Sequence, residues 1–242
     1  MRRAGLVVAL ALQAVSEAVR PGVTTANLDA IAWDVIKGHG ATPSFLGYHG
    51  YPAVICASVN EEVVHGIPGD RVLADGDIIS IDCGAIVEGW HGDAAVTVFV
   101  GEVVERVKHL SKVTEAAMWA GLDKVRAGNH LSDIGAAVEG VIRAGGELGI
   151  VEDYTGHGIG TSMHMHPPVP NLGKPGHGPV LKVGMALAIE PMATMGTDEV
   201  EVLSDGWTVV TADKGWAAHW EHTVAITETG PWVLTALEEC RL

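Results

Sequence analysis

The stretches VRPGVTTANLDAIAWDVIKGHG (residues 19–40) and VRAGNHLSDIGAAVEGVIRAGG (residues 125–146) align with each other without a gap. The identical pairs include Val19/Val125, Arg20/Arg126, Gly22/Gly128, Val35/Val141, Ile36/Ile142 and Gly40/Gly146. Each copy reads as a helix, a glycine-containing break and a second helix that opens with a Thr or Ser cap. The repetition indicates that the chain is built from two related halves.

Each helix pair is followed by β-like sequence. It is GDIISIDCGAIVEGWHGDAAVTVFVG (76–101) in the first half, and VGMALAIEPM (183–192) with HWEHTVAIT (219–227) in the second. A helix–helix–β-hairpin unit used twice predicts a pseudo-symmetric α+β fold in which the two sheets meet in the middle. We therefore expect a single domain over residues 1–242, with internal halves of about 1–106 and 107–242.

The composition narrows the class of protein. Hydrophobic residues make up 48% of the 242-residue chain and the formal net charge is −15. Such a chain can build a sizeable core, and its negative charge disfavours nonspecific binding to nucleic acid. The three cysteines form no CxxC pair and no even framework, which is typical of a reducing cytoplasm.

The N-terminal stretch MRRAGLVVALALQAVSEAVRPG (residues 1–22) has the outline of a signal peptide. However, it lacks a small-x-small cleavage site, and Glu17 and Arg20 stand where the cut should fall. Its apolar residues recur at helical spacing, and no stretch reaches the roughly 20 apolar residues that span a bilayer. We therefore predict an amphipathic first helix in a cytoplasmic protein without membrane attachment.

Two acidic residues interrupt the apolar strands of the first hairpin. With a tight turn near Glu88-Gly89, the register places Asp82 and Asp93 on the same face, one or two pairs apart. Asp is a poor strand residue, and two carboxylates buried side by side repel each other unless a cation neutralises them. This pair of residues indicates a cation site.

The second hairpin repeats this feature. Glu190 and Glu221 each lie in apolar strand-like sequence, and the gap between them predicts an insertion of about twenty residues. Four carboxylates brought together by the pseudo-symmetry would balance two divalent cations and leave a bridging water free to ionise. An oxygen-rich site suits Mn, Fe or Co, with Zn also possible, and His157 in GHGIG is the natural nitrogen ligand.

These residues and motifs resemble those of the type I methionine aminopeptidases over essentially the whole chain. The matching stretches are NEEVVHGIPG, IDCGAIVEGWHGDAAVT, YTGHGIGTSMH, AIEPM and WEHTVAIT, and their details look most like actinobacterial members. The resemblance implies the pita-bread fold, a pseudo-twofold arrangement around a central antiparallel sheet with helices on its outer face. It also implies metal-dependent removal of N-terminal methionine, before a small second residue, by a metal-bridging hydroxide.

The resemblance also implies roles for individual residues. The ligands of two divalent ions (Co, Mn, Fe or Zn) fall on Asp82, Asp93, His157, Glu190 and Glu221, with Asp93 and Glu221 bridging. His65 and His164 contact substrate and transition state, and Glu190 shuttles a proton. The methionine side chain would be held by Tyr48, Tyr51, Cys56, Met163 and Trp207.

The expected partners are peptides and nascent chains that begin with Met, with transient proximity to the ribosome and a monomeric state. Two alternatives stay open. One is a proline-specific peptidase of the same fold, although such enzymes generally carry an additional N-terminal domain. The other is a catalytically inactive binding module, although the five expected ligands are all present.

Overall fold

The computed structural model describes residues 1–242 and consists of two helix pairs packed around antiparallel sheets. The four helices are α1 (Arg2–Ala18), α2 (Thr25–Gly38), α3 (Glu105–Asp123) and α4 (Leu131–Ala144), and a 3₁₀ turn covers Tyr48–Gly50. The strands of the first half are β1 (Thr42–Pro43), β2 (Ile55–Val59), β3 (Glu62–Val64), β4 (Ile78–Val87) and β5 (Trp90–Phe99).

The second half contributes eleven strands. They are β6 (Gly149–Ile150), β7 (Gly156–Gly158), β8 (Met165–Val169), β9 (Ala186–Ile189), β10 (Met192–Thr194), β11 (Val200–Val202), β12 (Val209–Thr211), β13 (Ala217–His219), β14 (Glu221–Thr227), β15 (Gly230–Val233) and β16 (Cys240–Arg241). None of the helices has the length and apolar character to cross a membrane.

The two hairpin units meet in the middle of the large sheet, as the repeat predicts. The strand order along this sheet is β1-β4-β5-β14-β9-β7-β8, and β2, β15 and β16 extend it. Strand β5 of the first half pairs antiparallel with β14 of the second, at His222 opposite Ala94 and Glu221 opposite Ala95. The junction of the halves therefore carries acidic residues from both.

The turn of the first hairpin lies at Glu88-Gly89, as predicted. Val87 pairs with Trp90, and both turn residues have positive φ, 52° at Glu88 and 79° at Gly89. Positive φ at both central positions is the geometry of a type I′ turn, which matches the twist of the strands. This turn fixes the register in which Asp82 lies opposite Ala95 and Asp93 lies opposite Gly84.

The helices cover one face of the large sheet. On β4, Ile79, Ile81 and Cys83 belong to the core cluster that α1 and α2 share with the sheet. On β9 and β14, Leu187, Ile189, Val224 and Ile226 belong to the corresponding cluster that includes α3 residues. Because side chains alternate along a strand, the residues between these apolar positions point to the opposite face.

The helix starts follow the repeat with one correction. Thr24 caps α2, and its hydroxyl accepts from the Asn27 amide at 3.2 Å. The Ser cap expected for α4 is wrong, because His130 holds the N-cap position and Ser132 lies inside the helix. At the third position of the helix, the Asp133 carboxylate accepts from the His130 amide at 2.8 Å, so this backbone donor at the helix start has a partner.

The expected insertion of the second hairpin lies between β9 and β14 and forms additional strands. Strand β11 pairs with β12, and β12 pairs with β3 of the first half in a separate three-stranded sheet. The loop between β11 and β12 carries Trp207. The insertion therefore places an aromatic side chain from the second half beside residues of the first.

Candidate active site

The strand register places the acidic residues in one row across the joined halves. Asp82 lies opposite Ala95 on β5, and Ala95 lies opposite Glu221 on β14. Glu190 directly follows β9, which pairs with β14 through Ile189 opposite His222. Paired residues share a face of a sheet. Three carboxylates therefore point to the face that the helices leave free, with the small Ala95 between two of them.

A second row lies two residues along and on the same face. His157 lies opposite Ala188, and Ala188 lies opposite Thr223. The Thr223 hydroxyl donates to the Asp93 carbonyl at 2.7 Å and accepts from the Asp93 amide at 3.0 Å. Asp93 lies opposite Gly84, which has no side chain to obstruct the row. The structure thus brings together the five residues that the sequence analysis identified as ligands.

The imidazole of His157 is oriented for coordination. Its Nδ1 lies 2.9 Å from the carbonyl of Gly158, which can only accept, so Nδ1 carries the proton. The Nε2 lone pair is therefore free, and this atom lies 3.4 Å from Oε1 of Glu190. One ligand atom each from Asp93, His157 and Glu221 lie within 4.8 Å of one another.

Burial makes this cluster of acids unstable without positive charge. It raises the pKa of Asp82 and of Glu190 to about 7, and it also raises the pKa values of Asp93 and Glu221 well above those of exposed carboxyls. Three buried oxygens have no hydrogen-bond partner: Oδ1 of Asp82, Oδ1 of Asp93 and Oε1 of Glu221. Unpaired carboxylate oxygens converging with a free imidazole nitrogen fit divalent cations.

A pocket of about 120 Å³ opens on this cluster. All twelve residues that the sequence analysis assigned to the site line it, together with one that it missed. The lining residues are Phe45, Tyr48, Tyr51, Cys56, His65, Asp82, Asp93, His157, Met163, His164, Glu190, Trp207 and Glu221. Phe45 packs in one buried apolar cluster with Tyr51, Cys56 and Met163. The one sequence signal that could have identified Phe45 is its position three residues before Tyr48.

The apolar wall of the pocket is held by its own hydrogen bonds. The Tyr51 hydroxyl lies 3.0 Å from the Ile55 carbonyl and 3.1 Å from the Gly66 carbonyl, as donor. The Tyr51 ring meets the Trp207 ring edge to face, with centroids 5.0 Å apart. The Asp205 carboxylate fixes the Trp207 loop by accepting from the Trp207 amide at 2.8 Å. This wall is rigid and aromatic.

Cys56 lies in the same wall, and burial raises the pKa of its thiol. A thiol that stays protonated is a poor nucleophile. Its position therefore agrees with pocket lining and argues against a role for this thiol as a nucleophile.

Two further histidines stand at the mouth of the pocket. Burial lowers the pKa of His65 to about 4, so this imidazole is neutral at pH 7, and its backbone has φ of 60°. The Nδ1 of His164 lies 2.8 Å from the Tyr48 hydroxyl. The rings of His157 and His164 meet edge to face with centroids 4.3 Å apart. Burial also lowers the pKa of His164, so His65 and His164 are both neutral imidazoles that can donate hydrogen bonds to a bound peptide.

Of the other histidines near the ligands, one approaches an acid of the site and the others do not. His219 is buried, and its Nε2 lies 3.6 Å from Oε2 of Glu190. His49 and His166 are exposed and lie outside the pocket lining, and His222 bonds to Thr235 away from the acids.

Comparison with known proteins agrees with the site. The chain matches the model of metallopeptidase family M24 over residues 1–228. It is 55% identical to methionine aminopeptidase 1 of Mycobacterium tuberculosis, over 97% of this chain and 91% of that protein. The crystal structure of methionine aminopeptidase from Rickettsia prowazekii has a TM-score of 0.95 and 41% identity, with 98% of this chain and 95% of that chain covered.

The chain therefore belongs to metallopeptidase family M24 and, within it, to the methionine aminopeptidases. Its fold is the pita-bread fold, as the resemblance implied. The relative from Mycobacterium also confirms the likeness to actinobacterial members. A prolidase from Pyrococcus furiosus, 23% identical with a TM-score of 0.78, shares the fold, and this chain covers 63% of it.

Proposed function

We propose that this chain removes the N-terminal methionine from peptides and nascent proteins, preferring a small second residue. The observation that carries the proposal is the convergence of four carboxylates, two of them buried and two half-buried, and one imidazole at the end of an aromatic pocket. Family membership supports it, because the relatives at high identity are methionine aminopeptidases.

Asp82, Asp93, His157, Glu190 and Glu221 would hold two divalent ions, with Asp93 and Glu221 shared between them. The Asp93 and Glu221 carboxylates belong to neighbouring strands at the junction of the halves, and each has an unpaired oxygen. When bound, the ions polarise the scissile carbonyl and lower the pKa of a water. The donor set is compatible with Mn, Fe, Co and Zn.

The residues around the ions would move protons and stabilise charge. The Glu190 carboxylate, buried and with a raised pKa, accepts a proton from the attacking water and delivers it to the leaving amine. His164 donates a hydrogen bond to the negative charge that develops on the carbonyl oxygen. His65 holds the peptide backbone beyond the scissile bond.

The pocket would select methionine by shape and polarisability. Tyr48, Tyr51, Cys56, Met163 and Trp207 give an apolar lining in which a flexible thioether gains dispersion and sulfur–aromatic contacts. Asp82 offers its carboxylate to the free α-amino group, which restricts cleavage to the first residue. A small second residue is preferred because a larger one meets the wall around His65.

We also propose that residues 1–242 act as one catalytic domain, because the ligands come from both halves. A monomer in the cytoplasm, acting close to the ribosome on nascent chains, fits this activity. The basic residues on and beside α3 give little support to ribosome proximity. Lys108, Lys124 and Arg126 are paired with acidic neighbours on or beside α3.

The test is a release assay with metal-depleted protein and Mn, Co, Fe or Zn added back separately. The substrates are Met-Gly-Met-Met, a Met-Pro peptide and an Xaa-Pro peptide. The proposal expects metal-dependent release of Met from the first peptide. Cleavage of the Xaa-Pro peptide alone would assign the chain to the proline-specific branch of the fold. No cleavage of any of the three peptides with any of the metals would support a binding role.

A further inference from the structure

One buried polar atom of the pocket region has no assigned role. The buried side-chain nitrogens and oxygens without a partner are Asp82 Oδ1, Asp93 Oδ1, Glu221 Oε1, His219 Nε2 and Trp232 Nε1. Three belong to proposed metal ligands, and Trp232 lies on β15, away from the pocket lining. Leaving a buried nitrogen unpaired costs the full desolvation penalty of that group. The unpaired Nε2 of His219 therefore calls for a partner in the working site.

The backbone of His219 is fixed to the face that carries the acids. Its amide donates to Ser80 Oγ at 3.2 Å and to Thr97 Oγ1 at 3.1 Å. Its carbonyl accepts from the Thr97 hydroxyl at 2.8 Å. Ser80 and Thr97 lie opposite each other, two residues along from Asp82 and Ala95. The imidazole is thus anchored next to the first row of the site, with only 2% of the residue exposed.

Two imidazoles flank the two oxygens of Glu190. His157 Nε2 lies 3.4 Å from Oε1, and His219 Nε2 lies 3.6 Å from Oε2. The proton of His157 is on Nδ1, so its Nε2 faces Oε1 as a lone pair suited to a shared cation. On the Oε2 side, no lone pair is shown that a shared cation could use. A hydrogen-bond donor on that side would give the second carboxylate oxygen a partner.

We propose that His219 is a positioning residue that donates its Nε2 proton to Oε2 of Glu190 and so fixes the rotation of that carboxylate. The inference rests on the proposed function, in which Glu190 is a ligand and a proton carrier. The present separation is roughly 0.4 Å beyond the upper end of ordinary N–H···O distances, about 3.2 Å. Such contacts commonly tighten in the working complex. With Oε2 held by His219, Oε1 stays directed to the side of His157.

The experiment compares His219→Gln, which keeps an N–H donor of similar reach, with His219→Leu, which keeps volume and removes the donor. Manganese affinity is measured by calorimetry on metal-depleted protein, and kcat and KM are measured with Met-Gly-Met-Met. Loss of a group that orients a ligand typically costs 10–100-fold in metal affinity or activity. We expect His219→Leu to lose 10–100-fold in affinity or kcat with KM little changed, and His219→Gln to stay within about threefold of the wild type.

A spectroscopic measurement separates positioning from coordination. In protein loaded with Co(II), each coordinated imidazole gives a shifted N–H proton resonance, and we expect only the one from His157 in the wild type and in His219→Gln. Two such signals in the wild type, one of them lost in the Gln variant, would make His219 a ligand and overturn the proposal. Wild-type behaviour of His219→Leu, or equal damage in both variants, would also overturn it.

The calorimetric readout keeps this proposal distinct from the proposed function. If the wild type releases no Met but manganese affinity falls in the Leu variant and not in the Gln variant, the function fails and the positioning role stands. If the wild type is active and both variants bind and turn over normally, the function stands and the positioning role fails. Should the Leu variant not fold, His219→Met, which also lacks a donor, takes its place and the same outcomes apply. Loss of manganese affinity in the Gln variant equal to that in the variant without a donor overturns the proposal.

Discussion

Asp93 is the expected metal ligand whose backbone bonds directly to the other half of the chain. It is buried on the strand at the junction of the halves, and its backbone is bonded to Thr223 of the other half. Its Oδ1 has no partner in the protein, and burial raises its pKa. A buried carboxylate without a partner does not stabilise the folded protein. A cation shared with the neighbouring ligands would account for its presence.

We predict that Asp93→Asn lowers Met release by more than 100-fold, since ligands matter at least as much as the residues that orient them. Manganese affinity measured by calorimetry should fall in parallel, while circular dichroism stays unchanged. Asp198→Asn, at an exposed acid of the insertion, is the matched control and should behave as the wild type. Wild-type manganese affinity in Asp93→Asn would contradict the assignment.

The Tyr48 hydroxyl lies 2.8 Å from Nδ1 of His164. Because a phenol is a good donor and an sp² ring nitrogen a good acceptor, we expect the hydroxyl to donate to Nδ1, which leaves the ring proton on Nε2. We predict that Tyr48→Phe lowers kcat roughly tenfold, the equivalent of a hydrogen bond of about 1.4 kcal/mol, with a smaller effect on KM. Steady-state kinetics with Met-Gly-Met-Met measure both.

A double-mutant cycle checks that Tyr48 acts through His164. If it does, Tyr48→Phe should have little further effect on kcat in a His164→Ala background. Additive losses in the double variant would mean that the hydroxyl acts independently of the imidazole.

At the scale of elements, helix α1 and the first hairpin approach each other at two glycines. A Cβ added at Gly92 would lie 2.7 Å from the backbone nitrogen of Gly5 and 2.9 Å from its Cα. We predict that Gly92→Ala destabilises the protein by about 1–3 kcal/mol through overpacking. The melting temperature should then fall by roughly 2–10 °C in a chain of this size.

Gly140→Ala is the control for this substitution. Gly140 lies in α4 with nothing within 4 Å of an added Cβ, so alanine there should be neutral or stabilising by up to about 1 kcal/mol. Equal melting temperatures of Gly92→Ala and the wild type would show that the helix can move off the hairpin without cost.

The sequence predicted the elements where local rules decide the outcome. The type I′ turn at Glu88-Gly89 and the shared face of Asp82 and Asp93 follow from period-two alternation and turn chemistry alone. The Ser cap of α4 was wrong because the carbonyls of Pro179 and His177 accept from the Leu131 and Ser132 amides, so the first turn does not need a capping side chain. Phe45 was missed because its place in the pocket depends on long-range packing against Met163.

The path of the insertion also lay beyond sequence reasoning. Nothing local to residues 200–211 indicates that β12 pairs with β3 of the first half, yet this pairing brings Trp207 to Tyr51. The contact of His219 with Glu190 likewise depends on Ser80 and Thr97 of the first hairpin, which hold the backbone of His219. Contacts between distant segments decide these positions.

At the scale of the whole molecule, the buried acids link stability to pH and to metal. The pKa values of Asp82 and Glu190 rise to about 7 in the folded protein, from 3.8 and 4.5. Between those limits each of these carboxyls holds a proton in the folded state without metal but not in the unfolded state, so its contribution to stability falls as pH rises. The histidines act in the opposite direction below their ordinary pKa of 6.5, because burial lowers the pKa of His65 and of His222 to about 4. We therefore predict that the melting temperature of metal-depleted protein declines as pH rises above about 6.5, where the histidines are neutral in both states and the acids still lose protons.

Metal should reverse this decline. At a concentration of 100 times Kd, a ligand of the folded state stabilises by about 2.7 kcal/mol, which corresponds to roughly 5–10 °C in a chain of this size. Scanning calorimetry at several pH values, with and without manganese, measures both effects. A metal-depleted protein whose melting temperature rises steadily from about pH 6.5 to about pH 8 would contradict the raised pKa values of the buried acids.

We propose that acids from both halves and one histidine form a two-ion centre at the end of the pocket. Anomalous diffraction from crystals grown with manganese, collected at the manganese edge, would locate the ions. We predict two anomalous peaks among Asp82, Asp93, His157, Glu190 and Glu221, with Asp93 and Glu221 contacting both. Absence of anomalous density there in protein that binds manganese in solution, or peaks only at other residues, would contradict it.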